Sequence, residues 1–215
     1  MSRAAGGGRL SRLWAASAVL ALLLSSCGGS RYHYLSSTST HTFLKVPSSW
    51  QVFQQKQILA HLDVTDPTAA PQRPFPFFVV FDADPSPSLD HNVRGNYPLG
   101  VVRVRTLSAD ERDTFSMASL RNEFVPVDQV LQSDPNAVSA LTPPTSITHG
   151  GLRGSHLEFT VQVPSGGSFT YDQIGLVDAA THTVWLLVVG CNTTCYRSNE
   201  ATIHRVADSW TVKGK

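Results

Sequence analysis

"GSHLEFTVQVPSGGSFTYDQIGLVDAATHTVWLLVVGC", residues Gly154–Cys191, decides the fold. Its first segment alternates Leu157, Phe159, Val161 and Val163 with His156, Glu158, Thr160 and Gln162, and that period of two belongs to a strand. "SGGS" turns the chain back into "FTYDQIGLVDA", and "ATHT" turns it again into "VWLLVVGC". Turns this short join antiparallel neighbours, so an antiparallel region is predicted. The unbroken apolar run of the third segment marks a central strand. His156 is predicted to point outward from the first.

Strand signals also fill the first half of the chain. "HTFLKVP", His41 to Pro47, is followed after a Pro-Ser-Ser turn by "SWQVFQ", then by the apolar run "PFFVVFDA" and by "LGVVRVRTLS", where Val102 and Val104 alternate with Arg103 and Arg105. Between them lie "VTDPTAAPQRP" and "DADPSPSLDHNVRGNYP", Pro- and Asp-rich loops of the length at which function or mobility is expected. A helix is predicted from Ser108, with Glu111 completing a capping box and Met117, Leu120 and Phe124 forming its apolar stripe. "QSDPNAVSALTPPTSITHGG" reads as a further loop. A last helix is predicted from about Ser198, with Ile203, Val206, Ala207 and Trp210 on one face, and "TV" leaves it as a short strand. The order β-β-β-β-α-loop-β-β-β-α argues for an α+β fold, helices packed on a mostly antiparallel sheet.

Two patches carry a resemblance. "TFLKVPSSWQV" runs an aromatic strand into Pro47 and Trp50, and "HTVWLLVVGC…ATIHRVADSWTV" closes on Ser209-Trp210-Thr211-Val212. Together with the element order they resemble the PsbP-like fold, found in photosystem PsbP proteins and in small bacterial lipoproteins of the LpqN type. The resemblance implies an α-β-α sandwich and non-catalytic accessory, assembly or binding work, and it supplies no catalytic residue. Trp50 and Trp210 are read as core residues.

The N-terminus carries an address. Arg3, Arg9 and Arg12 precede "LWAASAVLALLL", a 12-residue apolar run too short for the roughly 20 residues of a membrane span and suited to a signal peptide. Leu24-Ser25-Ser26-Cys27 then resembles a bacterial lipobox, whose cysteine thiol takes a diacylglycerol before cleavage. The alternative is a conventional cleavage that leaves Cys27 a spare thiol. The organisation expected is a signal peptide over 1–26, a lipidated Cys27 and flexible tether over 27–40, and one domain over 41–215. Removing the three signal arginines from 17 basic residues leaves 14 against 16 acidic ones, with no basic run, so a nucleic-acid role is unsupported.

The remaining cysteines, Cys191 and Cys195, are four apart in an exported chain, which predicts a local disulfide. A redox pair usually has two intervening residues, and a metal site would need further ligands such as His182 or His204. Gly154-Ser155-His156 lacks the glycines of a nucleophile elbow. Asp82, Asp84, Asp90 and His91 offer cation-type oxygens, but without the glycine and terminal glutamate of a calcium loop they read as a solvated turn. No catalytic, cofactor or metal residue is singled out. The function expected is that of a lipid-anchored envelope protein on the extracytoplasmic face, a non-catalytic module recruiting a protein partner through its long loops. A carrier of an apolar envelope molecule is the alternative and requires a cavity among Phe77, Phe78, Leu120, Phe124 and Trp185. An enzyme acting on cell-wall or lipid substrates would instead require a cleft of titratable groups with shifted pKa values.

Overall fold

A computed structural model describes residues 30–65, 75–163 and 166–213 of the chain. Cys27 and the signal segment lie outside them. Among the described residues no helix is long and apolar enough to cross a membrane.

The three strands read from Gly154–Cys191 are β8 (Leu152–Val163), β9 (Gly167–Asp178) and β10 (Thr183–Asn192). They pair antiparallel in sequence order, Glu158 opposite Asp172 and Leu187 opposite Ile174. On the other side of β10 lies β5 (Leu99–Thr106), followed by β4 (Phe77–Asp82) and β3 (Gln51–Gln54), all antiparallel. The outer edge of β8 is paired in two pieces, by β6 (Val138–Ala140) and by β7 (Thr145–His149). Gly150 (φ 56°) and Gly151 (φ 77°) join β7 to β8, the two left-handed residues that a two-residue hairpin turn demands. This gives one eight-stranded antiparallel sheet with β10 in its interior, where its apolar run predicted it.

A second, three-stranded sheet holds β1 (Tyr32–Ser37), β2 (Thr42–Pro47) and β11 (Thr211–Val212). It shares one face of the large sheet with helix α5 (Thr193–Ser209), where Leu44, Val46, Ile203, Val206 and Trp210 pack on Val79, Phe81, Val102, Val104, Leu187 and Val189. The opposite face is covered by α1 (Gln55–Thr65) and, after α2 (Ala109–Thr114), which buries none of its residues, by α3 (Met117–Arg121) and α4 (Val127–Ser133). Ile58 and Val127 there pack with Val80, Phe159, Val161, Tyr171, Leu186 and Val188. The result is α+β, a mostly antiparallel sheet between two covering layers. Each fully buried Leu or Val contributes about 1.5–3 kcal/mol. Trp50 and Trp210 belong to the first core, as expected.

Four expectations need correcting. The tether over 27–40 is cut short because Tyr32–Ser37 forms β1, with Leu35 opposite Leu44, so the compact unit begins at Tyr32 and not at residue 41. The helix from Ser108 is two helices. Its capping box is present, but Phe115 is extended (φ −71°, ψ 121°) and Ser116 caps a second start, which leaves Met117 exposed while Leu120 is buried. The last helix begins at Thr193, five residues earlier than predicted, because Asn192 accepts from the Cys195 amide as its N-cap. The stretch read as loop forms β6, β7 and the end of α4, and neither α1 nor the rest of α4 is predicted; most of the loop after α1 lies outside the described residues.

Candidate functional site

Two residues apart on β8, His156 and Glu158 share the face that β9 continues with Asp172. That face is largely covered: α5 crosses it, bringing Tyr196 and His204, and leaves the His156 side chain 28% exposed. The outward placement predicted for His156 is therefore wrong. His156 Nε2 lies 2.6 Å from Asp172 Oδ1, and the Asp172 side chain is fully buried. His204 Nε2 stands 3.3 Å from Glu158 Oε1. Tyr196 is set edge-on to His204, with ring centroids 6.5 Å apart. Asp172 Oδ2, the Tyr196 hydroxyl and His204 Nε2 are buried without a hydrogen-bond partner among the described residues.

The charges are felt. Asp172 holds the His156 imidazole above its ordinary pKa through their hydrogen bond, against burial, and the charges of Asp172, Glu158 and Asp208 add to the rise. Burial pushes the Tyr196 hydroxyl strongly up, and the carboxylates of Asp172, Glu158 and Glu200 push it further. Sequence reading missed this cluster, although His-x-Glu on one strand and Asp on the next were its signal.

On the other face, a groove of about 520 Å³ opens between α4 and the ends of β8 and β9. Val125, Val130, Ala137, Val161 and Phe169 make its apolar surface, with Gln129 and Asp134 also in its wall. Arg94 reaches it from the long loop after β4, its guanidinium 5.6 Å over the Phe169 ring. Burial raises the Tyr171 pKa, and the Arg94 hydrogen bond opposes that rise. A second cavity of about 510 Å³ lies at the far end of β9, lined by His41, Gly151, Asp178, His182 and Trp185 among others.

The loop 83–98 is built more firmly than a solvated turn. Asp82 is buried and its carboxylate accepts from the amides of Asp84 (2.9 Å) and Ser88 (3.0 Å) and pairs with His91 Nδ1 (2.8 Å). The hydrogen bond to Asp82 raises the His91 pKa. These carboxylate oxygens are thus used to shape the loop.

Cys191 and Cys195 form the expected disulfide, with S–S at 2.07 Å, across the corner where β10 enters α5. His182 is not beside it: it lies in the turn at the opposite end of β10. The cavity imagined among Phe77, Phe78, Leu120, Phe124 and Trp185 does not gather. Leu120 packs on Gly175, Phe124 sits edge-on to Tyr171, and the Trp185 indole donates to the Thr40 carbonyl on the other face (3.1 Å).

No family model matches the sequence, nor does any curated protein. Three solved structures are similar in chain path. The solution structure of cyanobacterial PsbP (CyanoP) from Synechocystis sp. PCC 6803 has a TM-score of 0.48 and 17% identity, covering 88% of this chain and 99% of that one. LpqN, involved in cell envelope biogenesis of Mycobacterium tuberculosis, has a TM-score of 0.45 and 14% identity, covering 85% and 90%. The Saccharomyces cerevisiae Ran-binding protein Mog1p has 0.43 and 8%, covering 86% and 97%. The α+β architecture itself rests on the strand register given above.

Proposed function

We propose that this chain is a non-catalytic binding module of the cell envelope, held at the membrane through an acylated Cys27, and that the groove between α4 and β8–β9 receives apolar side chains of a protein partner. One observation carries the reading: an apolar surface stands open there, within the usual size range of ligand sites, and the charged groups beside it already have structural work. Arg94 lies over Phe169, and Asp134 accepts from the Asn136 amide (2.9 Å). The short sequence between Cys27 and β1 supports a partner met close to the bilayer. Four residues separate Cys27 from Tyr32, so an acyl anchor would hold β1 within about 18 Å of the membrane surface. The groove lies on the sheet face opposite the one that carries β1, α5 and β11.

A carrier of an apolar small molecule is the second reading, favoured by the same volume. Native mass spectrometry of the protein, gently extracted from its own envelope, separates the two. Acyl mass on Cys27 together with a stoichiometric protein partner that Val130→Asp releases is the expected result. A small apolar mass bound in place of a protein gives the carrier. An unacylated chain starting elsewhere sinks the anchor, and a partner indifferent to Val130→Asp sinks the groove.

A further inference from the structure

Glu158 and Asp172 are directly opposite each other on neighbouring antiparallel strands, on a covered face. Like charges in that position are destabilising. Asp172 is 1% exposed, and a buried charge persists only when it is paired or coordinates a metal. His156 satisfies one of its oxygens. The other, Oδ2, has no hydrogen-bond partner among the described residues, and neither has the hydroxyl of Tyr196, itself 1% exposed and on the helix that covers the cluster. The ligand-type atoms of His156, Glu158 and Asp172 all fall within 4.8 Å of one another. His204 brings a fourth such atom, 3.3 Å from Glu158 and not engaged in a hydrogen bond.

We propose that His156, Glu158, Asp172 and His204 form a binding site for one divalent transition-metal ion, of the zinc type, between β8–β9 and α5. Two imidazoles and two carboxylates make a nitrogen–oxygen set that suits zinc, and four protein ligands make a closed structural site. A tetrahedral ion with bonds of about 2.0–2.1 Å spaces its ligand atoms roughly 3.3 Å apart. The His204–Glu158 spacing already has that value. The His156–Asp172 hydrogen bond, 2.6 Å long, opens slightly as the ion takes the place of the proton between them. Two positive charges then balance the two facing carboxylates. Tyr196 is left to hydrogen-bond a ligand oxygen from outside, which is how metal ligands are commonly held in orientation. Since three ligands come from the sheet and one from α5, the ion ties the helix to the sheet.

The test strips the full chain with chelator and titrates it with zinc sulfate, reading metal content by elemental mass spectrometry and affinity by competition with a zinc dye. One zinc per chain is expected. At a hundredfold excess over the dissociation constant, Tm should rise by about 5–10 °C. Asp172→Asn keeps the shape and should weaken binding at least tenfold. His204→Gln, at a partly exposed position that a folded chain tolerates more readily, should do the same. Cobalt loaded into the site should give the visible spectrum of a tetrahedral centre with nitrogen and oxygen ligands. Absence of stoichiometric uptake would overturn the proposal, as would uptake unchanged in His204→Gln or removed equally by His33→Gln and His149→Gln on the surface. If Asp172→Asn fails to fold, the His204→Gln titration decides alone.

Discussion

Replacing Glu123 by alanine is the perturbation whose cost follows most directly from the structure. Its side chain is 9% exposed and accepts from Arg103 Nη2 (2.9 Å), Arg105 Nε (2.5 Å) and Arg105 Nη2 (2.9 Å). The two arginines fare differently once it is gone. Arg105 keeps Glu111 at 2.9 Å, whereas Arg103 keeps only the Glu123 carbonyl at 3.2 Å and the Phe75 ring at 5.6 Å. Burial already lowers the Arg103 pKa against the attraction of Glu123, so this guanidinium bears the loss. Removing one partner of a fully buried pair costs about 3–5 kcal/mol. With the arginines about a quarter exposed, water recovers part of that, and about 2–3 kcal/mol is expected for Glu123→Ala. That corresponds to a Tm lower by roughly 5–10 °C for a chain of this size. Urea unfolding followed by tryptophan fluorescence, with an unchanged m-value, measures it. Adding Arg103→Met to Glu123→Ala should recover about 1 kcal/mol, because the stranded charge is removed. A loss below about 0.5 kcal/mol, or no recovery in the double variant, would refute the reasoning.

Gly175→Ala places a methyl 2.8 Å from Leu120 Cγ, so α3 must lift from β9; a loss of about 1–3 kcal/mol and a faster unfolding rate are expected. Ser108 holds the Glu111 carboxyl down at about 2, below its ordinary 4.5, by its amide first and its hydroxyl second. A lowered folded pKa stabilises above the unfolded value and is lost as pH falls toward 2, so Glu111→Gln should cost about 1 kcal/mol at pH 6 and almost nothing near pH 2 in acid-dependent melts. The His91 case has the opposite sign. Its pKa is raised by Asp82, so the pair stabilises below about 6.5 and fades as pH climbs through the folded value. An NMR titration should therefore place His91 above 6.5, and His91→Gln should reduce the difference in stability between pH 6 and pH 8, the remainder coming from His156, whose pKa Asp172 also raises. Converting both Cys191 and Cys195 to serine should cost about 2 kcal/mol, the chain-entropy value for so short a loop, without changing the far-ultraviolet circular dichroism.

Much of the architecture is legible where a local pattern coincides with its environment. β10 is apolar on both sides because both faces of the large sheet are covered, and its place in the interior of the sheet follows. Ser108 and Glu111 announce a helix start because both halves of the capping box are local. The break at Phe115 is less legible, since Ser116 and Ser119 form a second cap eight residues on that reads as ordinary helix surface. α1 carries no conventional cap in sequence, and the Gln57 side chain serves the Gln54 amide in its place. β1 is polar, and its pairing depends on β2. The metal cluster was hidden for a related reason. His156 and Glu158 look like a solvent-facing row until α5, some forty residues later, lies across them.

The split edge of the large sheet bears on how these molecules behave in a crowd. A long outer strand left bare would offer its amides and carbonyls to another chain. Here the twelve residues of β8 are capped by two short segments, three residues from β6 and five from β7, and the Leu141 amide closes onto the Glu158 carbonyl between them. Pro143 and Pro144 fall in the gap, and proline has no amide to donate. A second chain approaching along this edge is thereby denied a continuous ribbon on which to pair.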